Sequence, residues 1–207
     1  MPEPYAVYLP SVAMNAEAWV NGERVGSGAL VEARGETVTG IPRNWNRPLL
    51  FRIPARALGA ADDVLAIRVA ADRAGAGFLA APAVGALAVL APVHARATFV
   101  RRTLLRMLVV VRLVAALFTA AIFVLWRRES YYGWFALCMV TWVLAEVNLL
   151  VIAPPVVPVA WSWFYNVAIG WWGITAVRLV LSFIGVAQPR AERRLLALGV
   201  IGPVVLG

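Results

Sequence analysis

Two hydrophobic rhythms divide the chain. Up to about residue 95, apolar positions come in short runs that alternate with polar ones. Beyond that point they merge into long unbroken stretches. The stretch that sets the pattern is 104–126, LLRMLVVVRLVAALFTAAIFVLW, followed by Arg127 and Arg128. A helix needs about 20 apolar residues to cross a hydrocarbon core of about 30 Å, and this run has 23. It predicts a first membrane span. A second is predicted at about 131–153, a third at about 159–186, and a fourth from 195 onward. The last run, 195–207, has 13 residues. At about 1.5 Å per residue it rises roughly 20 Å, too little to cross. At the other end, MPEPYAVYLP has no basic n-region and no long apolar h-region. This is the pattern expected of a fragment cut at both ends.

The first half reads as β structure. Residues 5–9, YAVYL, predict a short strand ended by Pro10. In AWVNGERVG, Asn21-Gly22 stands between two strand-like runs and supplies the positive φ angles of a type I′ hairpin turn. Residues 27–47 read as a long loop rich in Gly, Thr, Asn and Arg. PLLFRIP alternates, with Leu49, Phe51 and Ile53 on one side and Leu50 and Arg52 on the other. DDVLAIRVAA alternates too, with Leu65, Ile67 and Val69 inward and Arg68 outward. ARALGAADD connects the two, and VGALAVL at 84–90 is a further strand candidate. Short strands separated by turn signals predict an all-β antiparallel sandwich in residues 1–95. Residues 96–207 would form an α-helical transmembrane bundle.

Charge sharpens this division. The net charge is +8 and the apolar fraction 62%, against roughly 45–50% in soluble domains. Residues 1–95 hold eight Arg and eight acids and are neutral; residues 96–207 hold eleven Arg and three acids and carry the whole excess. Those arginines flank or enter apolar runs, which is a membrane topology signal, and they do not suggest nucleic acid as a partner. The lone cysteine, Cys138, excludes an intrachain disulfide and a cysteine metal site. The lone histidine, His94, reads as a solvated or interfacial side chain. No serine–histidine pair or prominent acid pair suggests catalysis, and no cofactor is expected.

The loops give an orientation. Loops 127–130 and 187–194 fall on one side of the predicted spans and hold five arginines, whereas loop 153–158 holds none. The positive-inside rule puts the arginine-bearing loops in the cytoplasm and the β half outside. Arg96, Arg101, Arg102 and Arg106 conflict with this, because they lie on the outer flank of the first span. Trp126 and Trp134 bracket the inner interface, Trp161 and Trp163 the outer one, and Trp171 and Trp172 lie deeper, where they would pack on neighbouring helices.

Two groups of residues are candidates for function. In the loop, Trp45, Asn46 and Arg47 combine an aromatic face with amide and guanidinium groups, the chemistry a sugar would engage. The alternative is that Trp45 packs over the sandwich edge while Asn44 and Asn46 satisfy loop backbone. Trp19, in a strand, reads as core. Within the spans, Glu146 is the only acid and Arg112 the only arginine near the middle of one. A charge there costs about 2.5–3.5 kcal/mol on insertion scales, so the two are predicted to pair, with Asn148 or Asn166 completing the hydrogen bonds. That cluster would be either a switch moved by an external ligand or a static clamp. Arg178, toward the inner end, is expected to snorkel to the headgroups.

The order YLP, WVNGERVG, NWNRPLLFRIP, DDVLAIRV, VGAL resembles the galactose-binding-like jelly-roll modules that precede the membrane region in bacterial sensors. YGWFAL at 132–137, Asn148, WSWFYN at 161–166 and PRAERRLL at 189–196 resemble bacterial seven-transmembrane receptors with diverse intracellular signalling modules. The resemblance implies an outer jelly roll that binds a small ligand, with carbohydrate as a candidate class. It also implies a helical bundle in the inner membrane, a homodimer, and a cytoplasmic histidine kinase or diguanylate cyclase beyond these residues. The rival readings are a membrane-anchored carbohydrate-binding accessory module of a carbohydrate-active enzyme, and a transporter subunit. The latter would favour Gly/Pro-broken helices, and the three complete predicted spans have no internal proline.

Overall fold

The structure, a computed structural model, describes residues 3–28, 43–59, 62–71, 77–127, 129–185, 197 and 199. Most of the predicted 27–47 loop, Arg128, the loop arginines Arg190, Arg193 and Arg194, and the predicted fourth span apart from residues 197 and 199 lie outside these. The chain divides into two compact units, Met1–Leu105 with Val151–Ala153, and Arg106–Leu150 with Pro154–Gly207.

The first unit is built on antiparallel sheets. Its strands are β1 (Tyr5–Leu9), β2 (Val12–Ala13), β3 (Asn15–Val20), β4 (Glu23–Ser27), β5 (Leu49–Arg52), β6 (Leu65–Ala70), β7 (Phe78–Leu79) and β8 (Ala83–Ala86). They form two three-stranded sheets, ordered β5-β1-β8 and β4-β3-β6, and a two-stranded β2-β7 pair. Val7 and Leu9 of one sheet, Ala16, Ala18 and Val20 of the other, and Leu49, Phe51 and Ile53 share a single core. The strand alternation predicted for PLLFRIP is observed: Leu49, Phe51 and Ile53 are buried and Arg52 is exposed. Gly26 lets the sheets close, since a Cβ there would lie 2.2 Å from the Phe51 ring.

The Asn21-Gly22 turn joins β3 to β4, with Val20 opposite Glu23 and φ angles of 51° and 83°, both in the left-handed region a type I′ turn requires. Trp19 departs from the expectation that it is core. Strand alternation puts Ala16, Ala18 and Val20 inside, so half-buried Trp19 lies on the opposite face with Glu17. There Glu17 faces Arg24 at 3.9 Å and Arg68 at 3.8 Å.

The segment after β8 corrects the expected strand 84–90. Pairing stops at Ala86, and α1 (Leu87–Thr98) begins with the Leu87 N–H donating to the Pro4 carbonyl at 2.7 Å. Pro92 lies inside this helix, where proline is ordinarily a breaker, so the run does not announce itself as helical. α1 packs on β1, β5 and β8. It covers the second face of β1, which explains why Ala6 and Tyr8 are buried as well as Val7 and Leu9. A π-helical segment, Phe99–Leu104, follows and leads into α2 (Leu105–Leu125).

The second unit contains α2, α3 (Ser130–Leu150) and α4 (Pro158–Ile184). Among the described residues three helices are long and apolar enough to cross a membrane: Leu87–Leu125, Ser130–Leu150 and Val159–Ile184. The first has 39 residues, about 58 Å of rise, or roughly twice a hydrocarbon core, so only part of it can lie in lipid. Residues 105–125 supply about 31 Å alone. Gly185, at φ 75°, ends α4 in the left-handed conformation that favours glycine.

α3 and α4 run antiparallel, with contacts in register along their length. Tyr131 meets Phe183, Trp134 meets Arg178, Thr141 meets Thr175, and Trp161 meets Asn148. Near the other end of α2, the Phe123 ring lies where a Cβ on Gly133 would approach it to 3.2 Å.

Candidate functional site

In the first unit, the loop before β5 is drawn into the protein. Asn44 is fully buried, and its amide donates to Asn15 Oδ1 at 3.0 Å and to the Gly28 carbonyl at 3.1 Å. Its carbonyl accepts from the Arg47 N–H at 2.8 Å, closing a tight turn over Trp45 and Asn46. The Trp45 carbonyl accepts from Ser11 Oγ at 3.1 Å, and the guanidinium of buried Arg43 lies 5.4 Å from the centre of the Trp45 ring. Asn46 donates to the Arg101 carbonyl at 2.8 Å.

Trp45, Asn46 and Arg47 are therefore neighbours on one turn, and each is half-buried. Asn44 satisfies the Gly28 carbonyl, as foreseen, whereas Asn46 reaches the Arg101 carbonyl of the π segment and not the loop backbone. Arg47 Nη1 is buried without a hydrogen-bond partner, as are Trp45 Nε1 and Asn44 Oδ1 on the same turn.

The arginines that conflicted with the topology rule also find a place here. Arg96 lies on α1, and Arg101 and Arg102 on the π segment, all within the first unit. Arg101 donates to the Pro10 carbonyl at 2.5 Å. This arginine is thus committed to a protein contact inside its own unit.

In the second unit, Arg112 and Glu146 form the predicted ion pair, Nη1 to Oε2. Arg112 lies seven residues into α2 and Glu146 four residues before the end of α3. Antiparallel helices bring those two positions to one level. Each charge alone would be costly in lipid, and the pair cancels them. The partner for the second carboxylate oxygen is Trp142, whose Nε1 donates to Glu146 Oε1 at 2.8 Å. The same indole lies under the Arg112 guanidinium, 4.9 Å from ring centre to Cζ, a cation–π contact. Its ring centre lies 4.6 Å from that of Trp172 on α4 in a T-shaped contact. One polar triad therefore touches all three spans.

The two asparagines go elsewhere. Asn148, 2% exposed, accepts from the Trp161 indole at 2.7 Å. Asn166 is exposed on α4. Trp161, expected at the outer interface, is buried by that bond, while Trp163 stays exposed. Arg178 lies over Trp134, 4.8 Å from its ring centre. Trp142 was not foreseen as part of the cluster. Its position four residues before Glu146, one helical turn away on the same face, is the signal that could have marked it.

Among the described residues no group of His, Cys, Asp or Glu could hold a metal ion. Compared with protein-family models, curated proteins and solved structures, the chain matches none.

Proposed function

We propose that the chain is the sensory, membrane-spanning part of a bacterial signal-transduction receptor. In this reading a jelly-roll domain stands in the periplasm and binds a small ligand, with carbohydrate as the candidate class. The bundle crosses the inner membrane and relays occupancy to a cytoplasmic module, with a histidine kinase as the first candidate. The receptor acts as a homodimer.

The observation that carries the reading is the triad of Arg112, Glu146 and Trp142, a charged junction shared by α2, α3 and α4. An anchor for an accessory module needs lipophilic surface only, and one helix suffices for that. Ionisable groups inside spans accompany function more often than anchoring. The arginine asymmetry of the loops supports a periplasmic β unit.

Impermeant maleimide labelling of intact cells tests the topology. Ala66→Cys and Ala153→Cys, both at exposed positions, should label without lysis, and Glu129→Cys only after it. Native Cys138 is buried and adds little background. The reverse pattern removes the sensor reading. A gene whose frame continues into further spans and a kinase or cyclase supports it, and continuation into a glycosidase fold favours the accessory-module alternative.

A further inference from the structure

A cavity of about 570 Å³ opens in the first unit between its two three-stranded sheets. It lies where β1 begins and β3 ends. The turn of Asn44 and Trp45 is bonded instead to Ser11 and Asn15, where β1 ends and β3 begins. Tyr5 and Val7 are two apart on β1 and so share the face that looks into the cavity, and Val84 of β8 stands opposite Val7 in register. Val20 and its register partner Leu65 line the side of the other sheet. Ile53 and Leu58 complete an apolar wall. Val7, Val20 and Ile53 are buried, and Tyr5 and Val84 are exposed at the rim. The volume falls within the roughly 300–1,000 Å³ typical of small-molecule sites.

One charge interrupts this apolar lining. Asp63, from the connection between β5 and β6, accepts at Oδ1 from the Gly59 N–H and from Asn21 Nδ2, each at 2.7 Å. Both donors are neutral, so they orient the carboxylate without cancelling its charge. Among the described residues no arginine forms an ion pair with Asp63, and none of those lining the cavity is basic. Arg52 belongs to an adjoining recess, which it shares with Glu3. An apolar molecule seated between the sheets covers part of this carboxylate and strips water from it, which is costly unless the molecule brings a compensating donor. An ammonium does so best, because it supplies donors and the opposite charge together. A carboxylate or phosphate is repelled. A sugar is poorly matched, because its ring of hydroxyls would lie against Val, Ile and Leu side chains.

We propose that this cavity is a site for a small organic amine, with its apolar body between the sheets and its ammonium on Asp63. The body it accepts is an aromatic ring or a short alkyl chain, and the head group is the selective element. The site is built from the β unit alone and goes beyond the receptor reading. Amine binding is measured without any signalling output, so either reading fails without the other.

The probes share a phenyl body and differ in head group: phenethylamine, phenethyl alcohol and phenylacetate. Each is titrated calorimetrically into the full chain in dodecyl maltoside near neutral pH, with the micelle-only titration subtracted. The amine should bind saturably and about fivefold more tightly than the alcohol, the ratio expected of a partly solvated ion pair. Phenylacetate should bind weakest. Asp63→Asn keeps an Oδ1 acceptor for Gly59 and Asn21 and removes the charge, so amine affinity should fall to that of the alcohol. Asp62→Asn, which alters the exposed neighbouring acid outside the lining, should bind like the parent. If Asp63→Asn fails to fold, Val84→Arg places a cation at the exposed rim and should weaken the amine more than the alcohol. Equal affinity for amine and alcohol in the parent would make the cavity a general apolar site and overturn the proposal. So would absence of saturable amine binding, or an amine preference that survives in the folded cavity variants.

Discussion

The guanidinium of Arg112 and the carboxylate of Glu146 meet across α2 and α3, and Trp142 serves both. Its N–H holds one carboxylate oxygen while its ring lies under the guanidinium. Neither charge is far from neutralisation, and neither is open to lipid, at 21% and 12% side-chain exposure. The arrangement makes the three groups one unit whose energy is not the sum of its pairs.

Removing one partner should therefore hurt more than removing both. Arg112→Met strands the carboxylate and Glu146→Leu strands the guanidinium. Each should lower stability in detergent unfolding by about 3 kcal/mol, at the low end of what an orphaned buried charge costs. The double variant Arg112→Met/Glu146→Leu should recover most of that loss. A double-mutant cycle with coupling below about 0.5 kcal/mol would mean that the pair does not hold the helices. The same variants separate clamp from switch. A clamp predicts that ligand response is intact in the protein that survives folded, whereas a switch predicts that the response of that folded protein is altered.

A second interhelical bond makes a smaller and separable prediction. Trp161 Nε1 donates to Asn148 Oδ1 near the opposite ends of α4 and α3, where Asn148 is almost wholly buried. Trp161→Phe deletes the donor and takes that hydrogen bond from the Asn148 oxygen. The expected cost is about 0.6–1.7 kcal/mol, the range for polar contacts between membrane helices. Trp161→Phe/Asn148→Leu removes both partners and should cost less than Trp161→Phe alone. A larger loss in the double variant would assign the contribution to packing.

These contacts mark where sequence reading succeeds and where it stops. Period-two alternation located β5 and β6 and their inward faces because the core admits only one face of each strand. The Asn21-Gly22 turn was legible because few residues accept two successive positive φ angles. Charge scarcity inside the spans identified Arg112 and Glu146, since two lone opposite charges in lipid have few alternatives to each other. What stayed hidden depends on partners distant in sequence. Trp19 reads as core by type, and only register places it on the outer face. α1 was masked by Pro92 and by alanines that suit strand ends as well as helices.

Asn21 offers a prediction in the β unit that separates backbone from side chain. Its Nδ2 donates to the Ala57 carbonyl at 2.9 Å and to Asp63 Oδ1 at 2.7 Å, and its Oδ1 accepts from the Val64 N–H at 2.9 Å. It does this at φ 51°. Asn21→Gly keeps the conformation and loses the side-chain bonds, for an expected cost of about 1–3 kcal/mol. Asn21→Ala loses the bonds and adds the left-handed penalty of about 1–2 kcal/mol. Chemical denaturation of both variants should rank glycine above alanine. Equal stability would show that the turn conformation carries no cost here.

Asp63 ties the same corner to pH. Its carboxylate accepts from the Gly59 N–H at 2.7 Å and from the Asn21 amide. These two hydrogen bonds, the backbone one first, hold its pKa below the ordinary 3.8. Both donors favour the ionised form, so the folded corner binds its proton less readily than the unfolded chain does. Stabilisation from this group is therefore fully present above the unfolded pKa and is lost as pH falls through the lower folded value. Hydrogen exchange at the Gly59 and Val64 amides, corrected for intrinsic rates, reads this locally. At neutral pH the parent should protect both amides more than Asp63→Ala does. The difference should persist at pH 5 and shrink only below about pH 4, the unfolded carboxylate range. A difference that closes between pH 5 and pH 7 would assign the protection to another group.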